Sequence, residues 1–480
     1  MKFSEYASYD GLGLAKLVHD GEVSVEDLAH TALRAIEQLD GELNAVVESY
    51  PERATTERAA QLSDGPYFGV PFLIKDLGIM EEGKRMEAGS RLAEGMVAPF
   101  TSELMNRYQR AGFNNLGRTS CPEFGFSCTT ESVLHGHTAN PWDTGRVAGG
   151  SSGGAAASVG AGIVPIAHAS DGGGSIRGPA ACCGVFGLKP SRGRISFAPG
   201  GDGFNGLANE HVLTRSVRDS AAVLDLTYGY VPGDPYGAPA PQRPYLEECE
   251  RDPGPLRIAF SKAPNGAYAV DPEIADFVEQ AAALCEALGH TVEEAAPAWD
   301  EEAFIKCSAT AWAANCTSMS NMMGALNGRS INSDTLEAIT LTSYNWGKSV
   351  SGEDFVKALE TASRISRQVG PFFEHYDVLL TPTLTKLPFA HGLYSMNDFS
   401  GSVEQWFTRL SEFGSFLSIY NTTGQPAMSV PLYTSATGLP VGIQFAGRYA
   451  AEGTLFQLAG QLERALPWVG RVPPVHVSTL

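Results

Sequence analysis

From Gly149 to Ser175 the chain consists mostly of small residues. A glycine-flanked serine cluster marks each end: Gly149-Gly150-Ser151-Ser152-Gly153-Gly154 and Ser170-Asp171-Gly172-Gly173-Gly174-Ser175-Ile176-Arg177. Glycine adopts backbone conformations closed to other residues and lets a second backbone or a ligand approach closely. Glycine is abundant overall, 53 of 480 residues, but it gathers around these serines rather than spreading out as a linker. Between the clusters, residues 154–162 predict a small-residue helix and 163–168 a buried strand. The serines therefore belong to loops at the ends of packed elements.

The same alternation runs along the chain. Residues 24–39 predict an amphipathic helix: Ser24 with Asp27 resembles a capping box, and Leu28, Ala32, Ile36 and Leu39 share one face. Residues 70–74 predict a short buried strand ending at Lys75, where α/β sheets present ligands. A helix over 102–111 and a strand over 113–116 follow. Residues 256–260, 271–288 and 291–294 form a further β-α-β unit. Strand character returns at 377–383 and 440–445, and 451–466 is a closing helix. The pattern predicts an α/β fold, with a central mixed, mostly parallel twisted sheet covered by helices on both faces. Residues 302–361 lack strand signals and read as a smaller helical lid. Residues 230–251, rich in proline, glycine and charge, read as a surface connection. Four stretches are expected: an N-terminal helical segment (1–60), a core carrying the serine clusters (61–230), a variable α/β and helical lid region (231–375), and a C-terminal return to the sheet (376–480).

Composition narrows the partners. With 34 basic and 54 acidic residues the net charge is −20, which argues against nucleic acid or an anionic membrane. Residues 1–10 carry no apolar leader, and the longest low-polarity run, 155–169, is too short to cross a bilayer. The eight cysteines show no Cys-x-x-Cys spacing, as expected of reduced, buried thiols in a cytoplasmic protein. His135 and His137 lack a third ligand nearby in sequence, so no metal or other cofactor is expected.

Two serines and one lysine are parts of a nucleophilic hydrolase. A serine hydroxyl attacks poorly until a base removes its proton. No histidine stands in a context suited to that task, whereas Lys75 closes an apolar run. Apolar surroundings disfavour the charged amine, so a neutral lysine becomes a general base. If Lys75 is too far from Ser175, Ser151 can pass the proton between them. The backbone N–H groups of Gly172, Gly173, Gly174 and Ser175 can converge on one point and stabilise an oxyanion. Asp171 and Arg177 flank this loop and read as an ion pair or hydrogen-bond frame. The run Gly149-Gly150-Ser151-Ser152-Gly153 also fits Gly-x-Ser-x-Gly, which would make Ser151 the nucleophile of a serine esterase, with His391 a candidate base. A non-catalytic scaffold on the same fold is a third reading.

At these residues the chain resembles the amidase signature family. The likeness covers GGSSGGAAASVGAGIVPIAHASDGGGSIRGPAACCGVFGLKP from Gly149 to Pro190 and GVPFLIKD upstream. It continues through Asn140-Pro141-Trp142, Asn421-Thr422-Thr423-Gly424-Gln425-Pro426-Ala427 and Gly438-Leu439-Pro440-Val441-Gly442. The resemblance implies a Ser-cisSer-Lys triad: Ser175 as the nucleophile that becomes the acyl-enzyme, Ser151 preceded by a cis peptide bond, and Lys75 as base. Ser152, Asp171 and Arg177 would support it, and a small-molecule amide would be the substrate. Within the family the chain looks most like the subgroup that hydrolyses the cyclic dimer of 6-aminohexanoate. It departs from that subgroup at Gly172 and Gly173, where alanines stand, at Phe126, where an asparagine stands, and at Trp312, where a cysteine stands. With Gly125 beside Phe126, and with Trp346, these aromatics point to a pocket for apolar or aryl substrates. A glutamyl-tRNA amidotransferase-like subunit is the family's other reading, which the acidic charge disfavours. A homodimer is compatible with the resemblance.

Overall fold

The computed structural model describes all residues 1–480. One eleven-stranded sheet runs through it. In chain order the strands are β1 (Val46–Ser49), β2 (Pro71–Lys75), β3 (Asn114–Thr119), β4 (Ile166–Asp171), β5 (Phe186–Lys189), β6 (Asn209–Thr214), β7 (Arg257–Phe260), β8 (Thr291–Glu294), β9 (Val378–Pro382), β10 (Ala427–Thr434) and β11 (Pro440–Gly447). Across the sheet they lie in the order β1-β3-β2-β4-β6-β5-β10-β11-β9-β7-β8. Parallel pairing joins β3, β2 and β4 near one end and β9, β7 and β8 at the other. The strands between pair antiparallel, as do β1 and β3. The fold is thus α/β, a mixed sheet with helices around it.

Every residue of β2 and of β4 is buried, as strands covered on both faces require. Their parallel register pairs Phe72 with Ile166 and Leu73 with Ala167. Two residues further along, Lys75 comes level with the Ala169–Ser170 end of β4. Residues 163–168 predict this strand, but it runs Ile166–Asp171. Pro165, which has no N–H to give a ladder, stands just before it. The shift puts Ser170 and Asp171 on the strand instead of the following loop.

Helices start where their caps say. Ser24 accepts the N–H of Asp27 at the head of Val25–Leu43, and Ser102 accepts that of Met105 at the head of Glu103–Arg110. The first 60 residues, expected to be helical, also supply the edge strand β1. The expected surface connection over 230–251 contains a short helix, Tyr245–Cys249, with Tyr245 fully buried. The Asp225 carboxylate holds that helix by accepting the N–H groups of Tyr245 and Leu246. The lid region is three helices, Glu301–Asn327, Ala338–Gly347 and Gly352–Val369. No helix is long and apolar enough to cross a membrane.

Candidate active site

Lys75 closes β2 with its amine inside the protein, 1% exposed. Its Nζ lies 2.7 Å from Ser151 Oγ and 2.9 Å from Ser170 Oγ. Burial pushes the ammonium down to about 8, against the opposing pull of Cys121, Glu210 and Asp171. Below it, His168 Nδ1 accepts the Lys75 backbone N–H at 3.3 Å, and His168 Nε2 meets Glu210 Oε2 at 2.5 Å. A lysine so poised holds an appreciable neutral fraction near pH 8 and has a hydroxyl in reach to deprotonate.

The Gly150–Ser151 peptide bond is cis. Gly125 packs directly against Ser151, with φ +72°, and a Cβ there would come within 3.1 Å of Ser151 Oγ and 2.8 Å of Leu77. Only glycine lets this loop pass so close. Ser152 knits its own loop to β4: its hydroxyl donates to the Ser170 carbonyl at 3.1 Å and accepts the Ser170 N–H at 3.3 Å. Ser170, the second hydroxyl on Lys75, has no signal of its own in the sequence. Its role emerges only once β2 and β4 are neighbours.

Ser175 sits half-buried just ahead of the helix Arg177–Cys183. The loop that carries it is braced from beneath by Asp171. That carboxylate accepts the N–H of Gly174 at 2.7 Å and of Ile176 at 3.1 Å. Arg177 grips it with two bonds of 3.0 Å, both side chains being fully buried. Asn421 adds bonds to its side chain and backbone carbonyl. Burial opposes ionisation of Asp171, but Arg177, Lys189 and Asn421 outweigh it and hold the carboxyl well below the usual range. Arg177 has further acceptors in Leu417 O, Gln444 Oε1 and Asn421 Oδ1. The expectation for the glycine N–H groups changes in one respect. The Gly174 N–H is consumed by Asp171, whereas those of Gly172, Gly173 and Ser175 have no protein partner. Gly174 instead makes the turn, with φ +127° and no room for a Cβ beside Leu417.

Ser151, Ser170 and Ser175 line one cavity of about 490 Å³. Gly125 and Phe126 form part of its wall, and Trp312, Asn315 and Met319 line it from one face of the helix Glu301–Asn327. Trp312 stacks on Phe126, with centroids 4.5 Å apart and planes 20° from parallel, and has Phe204 at 5.1 Å. Trp346 does not line the cavity. Its helix, Ala338–Gly347, packs on the other side of Glu301–Asn327, where Thr340 O receives Cys316 Sγ–H and Tyr344 O receives the Thr317 hydroxyl. Phe204 lies outside every motif that the sequence singles out.

No histidine lines the cavity. His391 instead lies against His137, ring centroids 4.2 Å apart and planes tilted by 38°, beside Thr144 O and Glu131. Contrary to the histidine spacing in sequence, folding does gather Asp76, Glu87 and His135 within 4.8 Å of one another. Arg118 fills that cluster, paired with both Asp76 and Glu87, so it is an ionic knot around an arginine.

A family model described as amidase matches residues 27–456. A 6-aminohexanoate-cyclic-dimer hydrolase from Paenarthrobacter ureafaciens is 37% identical over 475 residues, which span 97% of this chain and 96% of that protein. The solved structure of a 6-aminohexanoate cyclic dimer hydrolase superposes with a TM-score of 0.93 at 36% identity, covering 98% of this chain and 99% of that one. A bacterial aryl acylamidase of the amidase signature enzymes superposes with a TM-score of 0.84 at 26% identity, over 96% of each chain.

Proposed function

The chain belongs to the amidase signature family and is a hydrolase of amide C–N bonds, and from that premise we propose that it works through an acyl-enzyme on Ser175. Neutral Lys75 takes the Ser151 proton while Ser151 takes that of Ser175, and Ser175 Oγ attacks the amide carbonyl. The oxyanion draws on the N–H groups of Gly172, Gly173 and Ser175. The proton returns through Ser151 to the leaving amine, and the C–N bond breaks. Water then attacks the acyl-serine by the same proton route, releasing the acid and restoring Ser175. Ser170 and the His168–Glu210 pair position Lys75, and Asp171 with Arg177 braces the Ser175 loop.

The observation that carries this reading is the 2.7 Å contact between a buried, pKa-depressed lysine and Ser151, in the cavity that Ser175 also lines. For substrate, the wall of Phe126, Trp312 and Phe204 supports a carboxylic amide with an apolar or aryl portion, linear or cyclic. The named relatives act on a cyclic dimer of 6-aminohexanoate and on aryl acylamides, and a cavity of this size accommodates amides on that scale. Esters of similar shape share the acyl-transfer chemistry.

The test is kinetic and chemical together. Ser175→Ala is expected to lower kcat on hexanoyl p-nitroanilide by at least ~10⁴-fold, and Lys75→Ala and Ser151→Ala by ~10³-fold or more. A fluorophosphonate adduct is expected on Ser175. Wild-type kcat in Lys75→Ala would remove the proposed base, and an adduct on Ser151 would restore the esterase reading.

A further inference from the structure

We propose that the cavity is a charge filter in which Asp202 admits amides with neutral or cationic chains and rejects those with anionic chains. The proposal rests on the reading that amides are cleaved in this cavity. Asp202 and Glu210 are the only charged side chains that line it, and no lysine, arginine or histidine does.

The nearest cations are all engaged elsewhere. Lys75 lies behind Ser151 and Ser170. Arg177 is saturated by Asp171, Asn421, Gln444 and Leu417 O. Arg192 bonds the carbonyls of Gly206, Asn421 and Thr422. A carboxylate on the substrate would leave water and meet no opposite charge, which is costly in a largely apolar site. The unpartnered N–H groups of Gly172, Gly173 and Ser175 are where the reacting carbonyl must go. An anionic chain drawn there would bind out of register.

The two acidic groups are not equivalent. Glu210 is tied to His168 inside the protein. Asp202 is half-buried, and its Oδ1 accepts the Asn205 N–H at 2.9 Å while its Oδ2 has no protein partner. Its segment is pinned across the cavity at two points, by the Phe204 ring against Trp312 and by Asn315 Nδ2 donating to Asn205 Oδ1 at 2.7 Å. The Asp202 carboxylate is therefore held at the cavity rather than free to swing into solvent. There it repels an anionic chain and meets a cationic one.

The experiment compares three p-nitroanilides of equal chain length, hexanoyl (neutral), 6-aminohexanoyl (cationic) and adipoyl (anionic), at low salt with wild type and Asp202→Asn. For wild type, kcat/KM on the anionic compound is expected ~100-fold below the neutral one, the scale of one close charge pair at intermediate dielectric. In Asp202→Asn the anionic-to-neutral ratio rises ~10-fold and the cationic-to-neutral ratio falls ~10-fold. A merely structural loss would move all three together. Unchanged ratios would overturn the filter. Dissociation constants of the same compounds with Ser175→Ala read it without turnover. Weaker binding of the anionic compound there supports the filter even if wild type cleaves none of the three and the acyl-enzyme reading fails. Equal affinities sink it.

Discussion

The serine-bearing loops and the lid helix face each other across one cavity and are built on opposite plans. On the loop side the buried polar side chains are committed to one another, and the N–H groups of Gly172, Gly173 and Ser175 stand without a protein partner above them. Lys75 meets Ser151 and Ser170, Ser152 bonds both the N–H and the carbonyl of Ser170 in β4, and Asp171 is ringed by five donors from Arg177, Asn421, Gly174 and Ile176. On the lid side the cavity is lined by Trp312, Met319, Met322 and Met323, with Asn315 bonded to Asn205 among them. Trp312 is held by ring stacking, and Met322, in the same helix, is 52% exposed. Directional bonds in a dry interior hold atoms to fractions of an ångström, which proton transfer requires. Stacking and methionine contacts hold shape without fixing position, which suits selection among substrates. Under the proposed mechanism, the difference makes chemistry and specificity separable, so that each can be changed with limited damage to the other.

The strongest challenge to that division is Arg177→Ala. It strands the Asp171 carboxylate without its cation in a buried site and is expected to cost about 3–5 kcal/mol in denaturant unfolding. A loss below about 1 kcal/mol would mean that the loop side is not the rigid half. Next comes pH. With Lys75 at about 8, the neutral base grows tenfold per unit below that value and saturates above it. The kcat/KM for a neutral anilide should therefore rise through neutrality and level off above about pH 8. A profile that peaks near pH 5 and falls would exclude a neutral amine base. On the lid side, Trp312→Ala is expected to raise KM for an aryl amide ~10-fold while kcat stays within ~3-fold, because it removes binding and not the proton route. A larger fall in kcat than rise in KM would merge the two halves. The smallest effect belongs to Met322→Ser, expected within about 0.5 kcal/mol of wild-type stability.

Legibility in the sequence followed the range of the interactions involved. Helix starts at Ser24 and Ser102 were readable because a cap bonds a backbone group three residues away. The β7–β8 unit was readable for the same local reason. The antiparallel centre of the sheet was not, since it turns on β5 pairing with β10, which sets Gly187 against Ser429 from a distant part of the chain. At the site, Ser151, Lys75 and Ser175 stood out through their glycines and the apolar run. Trp312 and Phe126 were singled out as bulky residues, and they stack on each other. Trp346 had the same credentials and does not line the cavity, because nothing in the sequence records which side of the helix Glu301–Asn327 its own helix packs on.

The residues themselves determined the family, the hydrolytic chemistry and the identities of the candidate nucleophile, relay and base, since all of these follow from side-chain type within long local runs. Tertiary structure alone decided that Lys75 has a second hydroxyl in Ser170, that the Gly174 N–H is spent on Asp171, and that Asp202 and Phe204 stand at the cavity. The physical reason is that a hydrogen bond or a cavity wall is a relation between atoms at 3–5 Å. For groups separated by a hundred residues, that distance is set by strand register and helix packing, not by chain order.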